Sequence, residues 1–457
     1  MKVRIITDLG FGDSGKGVTV DALGHEDPYA CMVVRYNGGS QAAHNVHTPK
    51  GLHHTHAQFG STALSGIGLT YLSEHMLIEP YALMREALSL QTKIDGNESV
   101  IERLFIHDDA TVITPFHKAA NRIRESLRDV KHGTCGLGIG ETVSTRLQGR
   151  AMSAKMLVNT AQSLPILEAI QNAYIEEFKN VAVNNENKEW LEVIREKEYP
   201  KLFADSYEST MYPINIVSEI LFNGMVDHFS RWPESMAEFN MVHPNVENKD
   251  IEPSLIFEGA QGVLLDEKYG FAPHNTWSNT TPQNAYSLLK NAGYSGQIEN
   301  LGVIRAFQTR HGAGPMPTHN EMLSSSIPDS HNISGGWQGA FRVGWLDVVL
   351  IKHALAICKK VGTPIDGLVV TNLDRLSNIS DRKICVGYKN VDIGEPDVAD
   401  AESGLMTHLL NKAEPEYVSA PDDIDEYVAL IEELVGVPVV RTQSGRTYLD
   451  HKVRIPA

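Results

Sequence analysis

The chain has 457 residues and a formal net charge of -17, which excludes broad nucleic-acid binding because that needs a basic footprint, though a local cluster of donors can still hold a small anion. With 42% hydrophobic and 21% charged residues the composition is that of an ordinary globular protein with ample core. Four scattered cysteines without a C-x-x-C pair argue against a zinc site or a disulfide framework, and with neither a signal-peptide pattern nor an apolar run of membrane-spanning length the expectation is a cytoplasmic protein with no membrane or nucleic-acid partner.

Val3–Thr7 reads as a short buried strand, and the glycine-rich turn and VTVDALG segment after it complete a strand–loop–helix unit. Met32–Tyr36 is a second strand, ending in the turn NGGSQAAH. A helix follows around Pro80–Leu90, then a strand over Ile101–His107, then a charge-laced helix over Ile166–Lys197. Residues 231 to 252 are polar and read as an excursion, part of a helical insertion at about 151–250 in a single domain spanning 1–457. Leu255–Glu258 is a buried strand running into GAQG. Val348, Ile351, Leu355 and Cys358 recur at helical spacing until Gly362 and Pro364 stop them, and GLVVTNLD follows as a strand. Ile424, Val428, Ile431 and Val435 make a last helical face, closed by Gly436 and Pro438 before the strand VPVVRT. Strands alternating with helices predict an α/β fold: a large, mainly parallel central sheet with helices on both faces. Ligands of such sheets sit beyond the carboxyl ends of the strands, where the unusual loops fall.

The first of these loops, GFGDSGKG, satisfies G-x-x-x-x-G-K with Gly10, Gly15 and Lys16, but Gly17 stands where a phosphate loop carries its metal-binding hydroxyl. Glycines let backbone N–H groups face an anion, and Lys16 adds positive charge. Asp13 in the middle of such a nest would be repelled by phosphate, unless a magnesium ion lies between them or a substrate has a proton to give up. The alternative is a plain tight turn. His44, just after a glycine-rich turn, suits a general acid or a solvated loop histidine. GTCGLGIG, with Thr134, suits a phosphate cradle or a flexible lid. Gln261 can read a base edge as donor and acceptor at once, or bond its own backbone. Asp374, after the strand of TNLD, can accept from the adjacent N–H groups of guanine or cap a helix.

In order and spacing, from Val3 to about Thr447, these loops resemble the adenylosuccinate synthetase family. The family's G-D-E-G-K-G appears as Gly12-Asp13-Ser14-Gly15-Lys16-Gly17, and its R-Y-x-G-G-H-N-A-G-H as Arg35 to His44. GTCGLGIG is similar to G-T-T-G-R-G-I-G, FEGAQGVLLD to F-E-G-A-Q-G-x-L-L-D, TWSNTT to T-S-S-N-T-T and GAGPMPT to G-x-G-P-F-P-T, with GWLD, TNLD and TQSGR completing the set. The resemblance implies a ligase that couples IMP to aspartate with GTP and magnesium. Asp13 would take the N1 proton of the purine so that O6 attacks the γ-phosphate, and an amine would then displace the 6-phosphoryl group. On the same grounds His44 would stabilise the transferring phosphoryl group, Lys16 and the loop amides would neutralise its charge, and Gln261 would join them in catalysis. Asp13 and the backbone oxygen of Ala43 would hold Mg2+. Ser14, Gly15, Gln41, Thr134, Cys135, Arg150, Thr276 and Arg342 would bind the purine monophosphate and the amino acid. Gly12, Gly17, Asn372, Asp374, Ser444 and Gly445 would bind GTP, or ATP in its place. A homodimer is implied too, with Arg146 or Arg150 reaching the neighbour's nucleotide phosphate.

The chain departs from the family pattern at several of these positions. Ser14 replaces Glu, and Ser40, Gln41 and Ala43 replace His, Asn and Gly. Cys135 replaces a phosphate-binding Thr, and Asn372 replaces the Lys of T-K-L-D. The family's amino-acid loop reads T-T-G-R-x-R-R-x-G-W; counted back from Gly344-Trp345, this chain has Gly339 and Phe341 at two of the arginine positions and keeps Arg342. Each charge-assisted bond is worth about 1.5–3 kcal/mol, so either Arg310, Arg146 or Arg150 compensates or the amine is less anionic than aspartate. Phage relatives that act on dGMP carry Ser in place of the catalytic Asp; this chain keeps Asp13 with Ser14 beside it, so a guanine nucleotide stays open as substrate. A nucleotide-binding regulatory paralogue is the alternative from another class, although binding alone needs neither a base nor an acid.

Overall fold

The computed structural model describes residues 1–28, 31–94, 99–128, 132–179, 253–327 and 339–454. Residues 180–197 of the expected long helix, the 231–252 excursion, and Gly336, Trp337 and Gln338 of the amino-acid loop lie outside the described residues. Most of the expected insertion at 151–250 does so too.

Among the described residues a nine-stranded sheet organises the chain. Its strands are β1 (Lys2–Asp8), β2 (Cys31–Arg35), β3 (Leu69–Leu72), β4 (Leu104–Ile106), β5 (Ser254–Glu258), β6 (Ile298–Arg305), β7 (Gly367–Thr371), β8 (Val439–Gln443) and β9 (His451–Val453). Their order is β9-β8-β7-β6-β1-β5-β2-β3-β4. Every neighbouring pair is parallel except β8 with β9 at the edge. The central strands read as continuous apolar runs because both faces are covered. Val3 and Ile5 of β1 pack with Ala285, Leu288 and Leu289 of the helix Gln283–Asn291. Ile6, on the opposite face, packs with Val20 and Leu23 of α1 (Lys16–Glu26). Larger cores flank the two ends of the sheet, one under the helices Val348–Lys360 and Ile424–Val435, the other under Pro80–Gln91, Pro115–Leu127 and Thr160–Lys179.

The expected α/β architecture is therefore the observed one, with local corrections. The strand expected over Ile101–His107 is shorter, because Ile101–Arg103 forms a 3-10 turn and only Leu104–Ile106 pairs with β3. The central strand β6 went unread: its first residues, Ile298 and Glu299, are half-buried, and its run is broken by Asn300 and by Gly302, where an added Cβ would stand 2.5 Å from the Leu9 side chain. No helix among the described residues is long and apolar enough to cross a membrane, and all four cysteines are free thiols.

Candidate active site

The carboxyl ends of β1, β2, β5, β6, β7 and β8 converge on one edge of the sheet. Asp8, the last residue of β1, is fully buried and organises the loop that follows. Its Oδ1 accepts from the N–H of Gly10 at 2.8 Å; its Oδ2 accepts from the N–H of Ser14 at 3.0 Å and from Lys16 Nζ at 2.8 Å. Strand ends hold the loop's carbonyls in turn, with Arg305 Nε on Asp13 O and Thr371 Oγ1 on Ser14 O at 2.7 Å. Gly12, Asp13 and Gly15 all have left-handed φ, at 93°, 60° and 89°. The loop feeds α1, whose N-cap Gly15 offers no side-chain cap and whose first turn carries no acid. The first amides of α1 are thus open to an external anion. The missing hydroxyl at Gly17 has a steric cause: a Cβ there would lie 2.9 Å from His44 Cβ and 3.2 Å from Ser61 Oγ.

His44 opens the hairpin His44–His47/His53–His56 that packs on α1. Its Nδ1 donates to Glu258 Oε1 at 2.5 Å, from the last residue of β5. Glu258 also accepts from the N–H of Ser61 at 3.0 Å and from Ser61 Oγ. Burial opposes ionisation of Glu258, but the His44 ring, the Arg35 guanidinium and these hydrogen bonds outweigh it and hold its carboxyl at about 2. Burial lowers the affinity of His44 for a second proton, against the pull of Glu258. The ring is accordingly neutral near pH 7, protonated on Nδ1. His56 Nδ1 donates to the His44 carbonyl at 3.3 Å and fixes the hairpin's start.

Two cavities open beside these groups. A cavity of 640 Å³, within the usual range for small-molecule sites, is lined by Gly12, Asp13, Lys16, Gln41, Ala43 and His44, and on its far wall by Thr134, Cys135, Gln261 and Thr276. Its walls carry unanswered polar groups: both amide atoms of Gln41 and Oε1 of Gln261 are buried without a hydrogen-bond partner. Gln261 sits at φ 62° and donates from Nε2 to Thr276 Oγ1 at 2.9 Å. Such orphans mark a polar site awaiting a ligand. A narrower cleft of 120 Å³ is lined by Gly15, Gly17, Asn372, Asp374 and Gly445 together with Asp13, Lys16, Ala43 and His44. Lys16, Arg305, Arg375 and Arg446 line it against the acids Asp13 and Asp374, a local excess of cations in an acidic protein. Asp13, Lys16, Ala43 and His44 face both spaces.

Four expected residues are not brought to either cavity. Ser14 is buried behind the loop, where Asp8 holds its N–H. Arg150 is exposed just after the helix Ile139–Leu147 and bonds Gln148 Oε1. Arg342 Nη2 is engaged by the carbonyls of Gly312 at 2.7 Å and Gly314 at 2.9 Å. Ser444 is exposed, with its N–H on Asp450 O. Gly12, expected on the triphosphate side, lines the larger cavity instead. Of the arginines expected to compensate for the loop, Arg310 reaches the larger cavity. However, its Nη atoms bond Pro315 O and His274 O, and its Cζ lies over the Phe11 ring, 4.1 Å from the centroid. Burial, and then Arg342, lower its pKa to about 9. Arg146 is exposed.

The sequence reading missed Asp8, Glu258, Arg305 and His311. Asp8 and Glu258 end strands legible as apolar runs, so the rule that ligands sit at strand carboxyl ends was enough to single them out, whereas Arg305 ends β6, whose interrupted run hid it. His311 carried no such signal. It ends the strand Gln308–His311, paired antiparallel with Phe341–Gly344, and its Nε2 stands 3.4 Å from Asp13 Oδ2.

No group of three or more His, Cys, Asp or Glu among the described residues could hold a metal by itself. Magnesium asks less of a protein: one or two oxygens, with substrate phosphates and water completing the shell. The Asp13 carboxylate, 26% exposed, and the Ala43 backbone, both facing the two cavities, fit that demand.

Known proteins are similar to this chain over nearly its whole length. The adenylosuccinate synthetase of Francisella tularensis subsp. tularensis (strain WY96-3418) is 29% identical over 471 residues, covering 95% of this chain and 94% of that protein. The structure of fully ligated adenylosuccinate synthetase from Plasmodium falciparum superposes with a TM-score of 0.77 at 21% identity, covering 100% of both chains. Cyanophage S-2L succinoaminodeoxyadenylate synthetase (PurZ), solved with dGMP and with dATP as energy donor, gives a TM-score of 0.57 at 13% identity, covering 99% of this chain and 95% of that one. At these identities the two structures speak for the fold. The profile of the adenylosuccinate synthetase family matches residues 5–448, so the chain belongs to that family of purine nucleotide ligases.

Proposed function

We propose that this protein phosphorylates the 6-oxo group of a purine nucleoside monophosphate, IMP by default, and replaces it with the amine of an amino acid, aspartate by default. The observation that carries the reading is that Asp13, Lys16, Ala43 and His44 face both cavities at once. A purine in the larger cavity and a triphosphate in the cleft would then meet at those four residues. The Asp13 carboxylate takes the N1 proton, and the electrons released make O6 a nucleophile. O6 bonds to the γ-phosphorus and the nucleoside diphosphate leaves. The amine then attacks C6, phosphate departs, and the amine's proton passes to solvent. Magnesium, held by Asp13 and the Ala43 carbonyl, would neutralise phosphate charge. Lys16 and the α1 amides stabilise the negative oxygens. His44 is neutral near pH 7 because burial and the nearby Arg35 and Lys16 disfavour its cation. The arriving phosphates offset that penalty, and Glu258 then balances an imidazolium whose Nε2–H meets the transferring phosphoryl group.

Asp374 and Asn372 at the cleft suit the base of GTP, with ATP as the alternative energy donor. With Gly339 and Phe341 at two arginine positions, and Arg310 and Arg342 engaged by backbone carbonyls, a less anionic amine than aspartate is the specific alternative. A homodimer in the cytoplasm completes the proposal. The test mixes the full chain with IMP, GTP and Mg2+, with and without a panel of amino acids, and follows GDP release and product mass. Asp13→Asn should lower turnover by about 100-fold or more, the usual scale for a general base, while the chain still binds nucleotide. Undiminished product formation by that variant would refute the mechanism.

A further inference from the structure

In phosphoryl transfer the attacking and leaving oxygens lie roughly in line through the phosphorus. On the ligase reading above, on which this inference rests, O6 attacks from the larger cavity, so the departing diphosphate lies in the narrow cleft. Asp13, Lys16, Ala43 and His44 face both spaces and so meet the γ-phosphate. Three arginines among the described residues, Arg305, Arg375 and Arg446, line the cleft and not the larger cavity. Arg375 and Arg446 directly follow Asp374 and Gly445, on the segments assigned to the nucleoside of the donor. Arg305 marks the opposite end: it closes β6, and its Nε donates to the carbonyl of Asp13. Asp13 is a non-glycine residue at φ 60°, a backbone state that persists when its surroundings enforce it. Arg305 Cζ lies over the Phe307 ring, 5.6 Å from the centroid, which backs the guanidinium. The amino-acid loop supplies no cation at Gly339 or Phe341, and Arg342 Nη2 is engaged by carbonyls.

We propose that Arg305 is a catalytic residue of phosphoryl transfer: its guanidinium meets the β-phosphate of the donor while its Nε holds the peptide that carries the base. As O6 bonds to the γ-phosphorus, the bond from that phosphorus to the bridging oxygen breaks, and its electron pair stays on the departing diphosphate. No proton or bond passes through Arg305; its charge answers the negative charge that grows on the leaving group. A guanidinium is a planar fork with five N–H groups, so one side chain donates to a backbone carbonyl and to phosphate oxygens together. A lysine ammonium supplies the charge from a flexible stem but does not hold both partners in one plane.

The experiment titrates GDP and ADP, each with Mg2+, into the full chain by calorimetry for wild type, Arg305→Lys and Arg305→Gln. GDP release at saturating IMP, GTP and amino acid is followed in parallel. Arg305→Gln keeps an N–H for the Asp13 carbonyl and removes the charge. It should weaken binding of the preferred diphosphate about 10- to 150-fold, the loss of one charge-assisted hydrogen bond. Its kcat should fall about 1000-fold, the low end for an arginine that meets transition-state charge. Arg305→Lys should bind the diphosphate within about threefold of wild type, with kcat still lowered roughly 10- to 100-fold. A merely structural role for the Nε bond predicts the reverse order, with Arg305→Gln the milder change. If Arg305→Gln does not fold, Arg305→Met replaces it, and comparison with Arg305→Lys still isolates the charge. Diphosphate affinity in the neutral variant within about threefold of wild type, Arg305→Lys binding no better than the neutral variant, or a wild-type protein that binds neither diphosphate overturns the inference. Turnover separates the two claims: no GDP release with any purine and any amino acid would defeat the ligase reading, whereas the ranking of diphosphate affinities reports on Arg305 either way.

Discussion

Glu258→Gln tests the assembly of the site most directly. The carboxylate's Oε1 receives His44 Nδ1 at 2.5 Å and Ser61 Oγ, while its Oε2 receives the Ser61 N–H at 3.0 Å. An amide cannot reproduce this. With its oxygen toward His44, its NH2 faces the Ser61 N–H, donor against donor. Turned over, its NH2 faces Nδ1, which must then give up its hydrogen, and the ring adopts the other tautomer. In both orientations the charge that balances an imidazolium is gone. A hydrogen bond to a charged group is worth about 1.5–3 kcal/mol, so kcat should fall roughly 10- to 150-fold, with KM for either nucleotide changing far less. The assay is steady-state GDP release at saturating substrates. Stability carries a second signature. Glu258's carboxyl, held at about 2 against the ordinary 4.5, contributes folding stability. Because the folded value is depressed, that stability is present above about pH 4.5 and is lost as pH falls toward 2. The gap in Tm between wild type and variant should therefore close across that window. A kcat within about threefold of wild type, less than ~1 kcal/mol of barrier, would refute the role assigned to Glu258.

Two further perturbations address the loop. Asp8→Asn leaves the buried Lys16 ammonium without its counter-charge; breaking a buried pair from one side costs about 3–5 kcal/mol. Tm should drop accordingly, and Mg2+ with a triphosphate should restore more of it in the variant than it adds to wild type; an unchanged Tm would count against the pair. Gly17→Ser restores the usual phosphate-loop hydroxyl but places a Cβ 2.9 Å from His44 Cβ. Overpacking of this kind costs about 1–3 kcal/mol, so Tm and kcat should both fall. A gain in apparent Mg2+ affinity on titration would contradict the steric explanation.

Much of the architecture is legible without coordinates. Buried parallel strands announce themselves as apolar runs, as in Met32–Val34 and Leu368–Val370, and their order of alternation with helices leaves little choice of fold class. The loops are legible as well, because a backbone that must turn tightly beside an anion needs glycine in fixed places. Strand β6 was lost because Asn300 and Gly302 interrupt its run: the first reaches the carbonyls of Thr363 and Pro364, and the second leaves room for Leu9, both demands imposed by neighbours far along the chain.

What the sequence by itself determined is the class of fold, the family pattern of the loops, and the aspartate, lysine and histidine that those loops carry at positions 13, 16 and 44. These depend on short-range rules of periodicity, turn chemistry and spacing. Only the tertiary structure decided how those groups are supported. It placed Asp8 on Lys16, Glu258 on His44 and His311 on Asp13, and it turned Ser14 and Arg342 away from the cavities. The physical reason is that hydrogen bonds and ion pairs act over about 3–4 Å in space, and the fold brings to that distance residues separated by 357 positions, as for Thr371 and Ser14.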